Sequence, residues 1–203
     1  MPASTPPGLL RILLEDLRTV LARDPSIRSL PEALLHPTIT AIWAHRLAHR
    51  IHRRGRRLTA RLLMLPVRAF TGVEIHPGAV LGRRVFIDHG AGVVIGETAV
   101  VGDDVTIYHQ VTLGALGWRQ DNLRADGERR HPVVGSGVLL GVNATVLGPV
   151  TIGAGAVIGA QALVISDVPA GHRALAPVAA QTGRSGERPA ADLLRQAAST
   201  GSW

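Results

Sequence analysis

The sequence contains neither cysteine nor lysine, and only 3% of it is aromatic. The lack of cysteine excludes disulfides and thiolate zinc sites and suits a reducing cytoplasm, which is the expected location. The scarcity of aromatics means that a core must be built from small aliphatic side chains. It also removes the rings on which single-strand nucleic-acid binders stack bases. The formal charge of +7 is carried entirely by arginine, and the "HRRGRR" run at 52–57 reads as a solvated helix end rather than a nucleic-acid patch. No apolar run is long enough to cross a membrane. The N-terminal "MPASTPPGLLRILLEDLRTVL" lacks a basic lead and is interrupted by Arg11, Glu15 and Asp16, so no signal peptide is expected. Neither nucleic acid nor membrane is an expected partner.

What is present is 46% hydrophobic residues and 23 glycines in 203 positions, enough for a core with frequent turns. From Leu9 to about Phe70 the apolar residues recur at three and four, as in Leu9, Leu13, Leu17 and Val20 and again in Ile42, Trp43, Leu47 and Ile51, which predicts helices. Asp24-Pro25 breaks that pattern, and "DPSIRSLPEALLHP" reads as a turn into a short helix. His36, His45, His49 and His52 fall in this part and are expected to be surface or cap residues without a metal. From Ala180 the chain turns polar and a mobile tail is expected.

Between these regions the aliphatic residues return every six positions. One ladder runs Ile75, Leu81, Ile87, Ile95, Val101, Ile107, Leu113 and a second Val134, Leu140, Val146, Ile152, Ile158, Val164. The residue after the ladder position is often glycine and the fifth of each hexad is small or branched. Short inward-facing strands joined by tight corners give a three-sided coil with three hexads per turn, and its open end requires a cap, for which the N-terminal helices are available. The fold class is therefore α+β: a helical domain over 1–70, a parallel β-helix over 71–179 and a tail over 180–203.

A hexad repeat by itself is a scaffold, so chemistry is sought where the rule fails. Ile87 to Ile95 is a step of eight, and the surplus lies in "DHGAGVV" beside Asp88 and His89. Leu113 to Val134 is interrupted by "GALGWRQDNLRADGERRHP", which ends in Arg129, Arg130 and His131.

The stretch "EIHPGAVLGRRVFIDHGAGVVIGETAVVGDDVTIYHQVTLG", followed by "RRHP" and further hexads, resembles the bacterial serine O-acetyltransferases, and the likeness extends from about Asp24 to Val168. The resemblance implies a left-handed β-helix behind a helical domain, and transfer of acetyl from acetyl-CoA to the hydroxyl of L-serine, a step of cysteine biosynthesis. It makes His89 the general base and Glu74 the carboxylate that orients it, and it puts Asp24, Asp88, Arg130 and His131 on the amino acid. Gly114, Ala115, Gly141 and Val142 fall where the family lays the pantetheine arm of acetyl-CoA. The resemblance further implies a homotrimer or dimer of trimers with sites between subunits, no metal, and inhibition by cysteine. It also implies a tail that can engage cysteine synthase, although Trp203 stands where many relatives end in isoleucine. Glu74 replaces the commoner aspartate and "LGALG" the usual "LGGTG", which leaves open a related acyltransferase with another hydroxyl or amino acceptor, or a non-catalytic β-helix partner.

Overall fold

The computed structural model describes residues 8–125 and 127–179. The tail and Trp203 lie outside the described residues. Four helices come first: α1 (Leu9–Arg23), α2 (Leu30–Leu34), α3 (Pro37–Arg53) and α4 (Arg57–Thr71). Ser29 caps α2 and its hydroxyl bonds Glu32 at 2.9 Å, while Glu32 reaches back to the Arg28 N–H at 2.9 Å. Helix α4 ends on Gly72 at φ 69°, a left-handed C-cap that turns the chain into the first strand.

The coil follows in chain order. Its first turn holds β1 (Glu74–Ile75), β2 (Val80–Leu81) and β3 (Phe86–Ile87), and its second β4 (Val94–Ile95), β5 (Val100–Val101) and β6 (Thr106–Ile107). The third has β7 (Thr112–Gly114), then an excursion containing α5 (Trp118–Asp121), then β8 (Val133–Val134) and β9 (Leu139–Leu140). The fourth has β10 (Thr145–Leu147), β11 (Thr151–Ile152) and β12 (Val157–Ile158), and β13 (Leu163–Val164) and β14 (Arg173–Ala174) close the stack. Three parallel sheets result, β1-β4-β7-β10-β13, β2-β5-β8-β11 and β3-β6-β9-β12-β14. The fold is the left-handed parallel β-helix behind a helical domain expected from the sequence.

Register shows where the repeat is broken. Val94 pairs with Thr112 and Thr145 with Leu163, each eighteen residues on, which is three hexads. Glu74 pairs with Val94, twenty residues on, and Thr112 with Thr145, thirty-three on. Both surpluses are expelled at corners, and the ladder inside stays in step. Ile87, Ile107, Leu113, Leu140, Ile152 and Ile158 are all fully buried. Leu81 alone of the two ladders is only partly covered. The helical domain completes this core, since Ala41, Ile42, Ala48, Ala60 and Met64 belong to the same apolar cluster as the ladder. Arg46 ties α3 to α1 through two 2.7 Å bonds to the buried Asp16 carboxylate, and it also donates to the Gly82 carbonyl of the coil at 3.2 Å.

Of the histidines expected at the surface or in the cap, His36 and His45 belong to the cap and are buried, and burial holds His45 neutral with its pKa lowered to about 3.

Candidate active site

The two-residue surplus between β3 and β4 carries Asp88 and His89. His89 sits at φ 58°, in the left-handed region that L-residues seldom occupy. Gly90 makes the tight corner feasible, because a Cβ there would come within 2.5 Å of the Thr38 methyl group, where α3 closes on the coil. The His89 imidazole is exposed, with Nε2 3.9 Å from Asp88 Oδ2 and its edge toward His109, the ring centroids 5.8 Å apart.

Across this corner the turn after α1 presents Asp24. Its Oδ1 accepts from the Ser26 N–H at 2.9 Å and the Ser26 hydroxyl at 2.7 Å, and these bonds hold the carboxyl below its usual pKa. Its Oδ2 lies 3.7 Å from His36 Nε2. Donor atoms of Asp24, His36 and Asp88 all fall within 4.8 Å of one another. Together with His89 and Ser26 the Asp24 and His36 side chains line a groove of about 420 Å³. Asp24, Glu32 and His36 bring acceptors to this groove beside the apolar Ile27, Leu35 and Pro37, and its carboxylates suit a cation. Three acceptors around an ammonium at ordinary hydrogen-bond length stand roughly 4.5 Å apart and ligands on a zinc ion about 3.4 Å apart, and the 3.7 Å between Asp24 Oδ2 and His36 Nε2 lies between the two.

The opposite corner of the same face, between β7 and β8, carries the complementary chemistry. His131 occupies the space above Gly96, where a Cβ would lie 2.0 Å from the imidazole, so the ring nests only because that residue is glycine. Its Nδ1 accepts from the Thr98 N–H at 3.2 Å, and Thr98 Oγ1 accepts from the His131 N–H at 3.1 Å and the Arg130 N–H at 3.0 Å. Burial, then the nearby Arg130, lowers the His131 pKa, so a neutral ring with its proton on Nε2 is favoured. The Arg130 guanidinium pairs with Glu97, whose pKa falls because His76 and Arg130 together outweigh the effect of burial. Arg130, His131, Glu74, Gly114 and Ala115 line one groove of about 360 Å³.

Of the residues singled out in the sequence, Asp24, Asp88 and His89 are therefore together at one corner, and Glu74, Arg130, His131, Gly114 and Ala115 at the other. Glu74 is not joined to His89 within the chain by any hydrogen bond or ion pair among the described residues. Its carboxylate bonds Arg68 at 3.0 Å instead. Gly141 and Val142 lie in the turn between β9 and β10, on the His89 side, away from Gly114 and Ala115. At Gly141 a Cβ would meet the Ala160 nitrogen of the next coil at 2.6 Å, so glycine is required there by stacking alone. Sequence reasoning missed Glu97 and Thr98, although "GETA" lay inside the most specific motif. It also gave His36 no role, and nothing in the sequence joins His36 to residues some fifty positions away.

Comparison with known proteins bears on this geometry. Residues 131–166 match the family model described as bacterial transferase hexapeptide (six repeats). The chain is 51% identical over 145 residues to a serine acetyltransferase of Mycobacterium tuberculosis, a match that covers 71% of this chain and 60% of that protein. Among solved structures, a Neisseria gonorrhoeae serine acetyltransferase in complex with serine aligns with a TM-score of 0.73 and 36% identity, covering 89% of this chain and 68% of that one. A Brucella abortus serine acetyltransferase in complex with coenzyme A aligns at 0.75 and 36%, covering 88% and 69%. The chain thus spans less than two thirds of the length of the mycobacterial relative.

Proposed function

Because the chain belongs to the serine acetyltransferase family, we propose that it transfers acetyl from acetyl-CoA to the hydroxyl of L-serine. The observation that carries this reading is the split of the site into two chemically opposite halves. A carboxylate-bearing corner, Asp24 and Asp88 beside His89, suits the substrate ammonium, and Arg130 and His131 at the other suit its carboxylate. Neither half alone holds an amino acid, and they stand on opposite corners of one face. We infer that the halves meet between neighbouring subunits of a trimer, or of a dimer of trimers. Glu74 belongs to the second half, so on this reading it orients His89 of a neighbouring subunit rather than of its own.

In the reaction His89 accepts the serine hydroxyl proton as the oxygen attacks the thioester carbonyl. A carboxylate stabilises the imidazolium that forms. The tetrahedral adduct collapses with cleavage of the C–S bond, and the proton held by His89 passes to the departing CoA sulfur. The products are O-acetylserine and CoA. We assign the pantetheine arm to the Gly114–Ala115 stretch, with Gly141 and Val142, which lie on the His89 side, reaching it only from a neighbouring subunit. Cysteine shares the ammonium and carboxylate of serine, so the same site is expected to bind it in competition. A cytoplasmic setting and a weak or absent interaction with cysteine synthase are parts of the same proposal.

Thiol release from acetyl-CoA, measured with L-serine, L-homoserine and an amino sugar in parallel, tests the assignment. Release with serine at least tenfold above the other acceptors is the expected result. Preferential release with another acceptor reassigns the substrate, and release with none removes the enzymatic reading.

A further inference from the structure

His36 sits at the centre of the acceptor corner with an unusual set of bonds. It is 7% exposed and lies in the turn between α2 and α3. Thr38 Oγ1 donates its one proton to the Ile87 carbonyl at 2.8 Å, the residue immediately before Asp88. Toward His36 Nδ1, also at 2.8 Å, that hydroxyl can therefore only accept. Nδ1 must carry the imidazole proton, and Nε2 is left with its lone pair. No hydrogen bond satisfies Nε2 among the described residues, and it faces Asp24 Oδ2 at 3.7 Å, with Asp88 in the same cluster. A lone pair directed at carboxylates gains nothing from them, so the arrangement calls for a donor placed between the three groups.

Resting on the serine acetyltransferase reading, we propose that His36 is the third acceptor for the substrate ammonium and sets the preference for acceptors with a free primary amine. Asp24 Oδ2, Asp88 and His36 Nε2 then take one N–H each. The buried ring remains neutral, since burial lowers its pKa against the pull of Asp24 and Asp88. The relay from Ile87 through Thr38 couples the coil corner that carries Asp88 and His89 to the ring that completes the ammonium site. His36 touches the substrate amine and no reacting atom, so its effect falls on binding rather than on the chemical step.

The test compares L-serine with 3-hydroxypropanoate, which is serine without its amine. His36→Phe keeps the ring and its contact with Phe86, whose centroid is 5.9 Å away, but removes the acceptor. We expect the KM for serine to rise about tenfold or more, the size of one lost hydrogen bond to a charged group, with kcat and the KM for acetyl-CoA unchanged. The ratio of kcat/KM for serine over 3-hydroxypropanoate should fall by the same factor. His36→Gln, which restores an oxygen acceptor, should recover most of that ratio, and it serves as the second variant if the phenylalanine chain folds poorly. An unchanged serine KM in His36→Phe overturns the inference, as does an equal loss for both acceptors. A difference that disappears when EDTA is added shows that the cluster serves a metal and overturns it as well. In all three cases wild-type turnover of serine leaves the activity itself standing. Wild-type protein inert toward serine removes the activity first, and the inference with it.

Discussion

The two corners of the β1-β4-β7 face are built by opposite means. The His89 corner is made by a short surplus of two residues and finished by the helical domain, which supplies Asp24 and His36 from far along the chain. The Arg130 corner is made by a long excursion and finished by the coil itself, through Gly96, Glu97 and Thr98. The first corner is dominated by carboxylates, and the second joins Arg130 and His131 to Glu74 and Glu97. Polarity, more than proximity in sequence, assigns each residue to its half, and a substrate bearing both charges has to bridge the two.

The largest expected effect comes from breaking the first corner. His89→Ala should lower kcat by about 10²–10⁴-fold, the range of a lost general base, with the KM for acetyl-CoA unchanged in a steady-state assay. The second corner should respond differently. Arg130→Ala should raise the KM for serine by about 10–100-fold, since a charge-assisted hydrogen-bonding group is removed, while kcat changes far less. If both variants lower kcat alike, the division of labour between the corners is wrong.

Mixing the two variants examines whether the corners meet across subunits. Equal amounts of His89→Ala and Arg130→Ala chains, unfolded and refolded together, should regain activity in about a quarter of the sites if each site takes one half from each neighbour and association is random. No recovery, with mixed assemblies shown by mass spectrometry, would place both halves in one chain.

The coil was readable from the sequence because its periodicity is local: each inward residue announces the next, six positions on, and the breaks at Ile87–Ile95 and Leu113–Val134 mark both corners. The helical domain was readable as helices, but not its contacts. Asp24 came only through a resemblance, and His36 and His45 were left between surface and cap, because helical periodicity says which face is apolar and not what polar groups a partner element covers. The neighbour of Glu74 was likewise hidden, since Arg68 lies on a different element and a carboxylate's partner is decided by packing.

A separate effect concerns stability and distinguishes the cap from the corners. The buried His45 and the half-buried His76 have pKa values lowered to about 3 and about 4. Each binds its proton more readily in the unfolded chain, so stability is complete above about pH 6.5 and is lost as the pH falls toward those values. The decline is steeper for the fully buried His45 than for His76, whose partial exposure to water screens its charge. Urea midpoints measured from pH 7 to 4 should decline accordingly, and His45→Leu should flatten the slope by one histidine's share. An unaltered slope in that variant would mean that His45 is not the group being protonated.

The register of the coil also works as a ruler. Successive turns of a β-helix are separated by the spacing of hydrogen-bonded strands, roughly 4.8 Å. Asp88 and His89 close the first turn, while His131 rests on Gly96 and Thr98 of the second. Within one chain the rise between the Asp88–His89 corner and the seat of His131 is thus graduated in whole turns. Adding a methylene to the acceptor lengthens it by about 1.3 Å, a fraction of a graduation, and no slip of the ladder can supply that amount without turning buried aliphatic residues out of the core. Within a subunit such fine adjustment is therefore left to side chains at the corners, and an exchange of Asp for Glu at position 74 is of that scale.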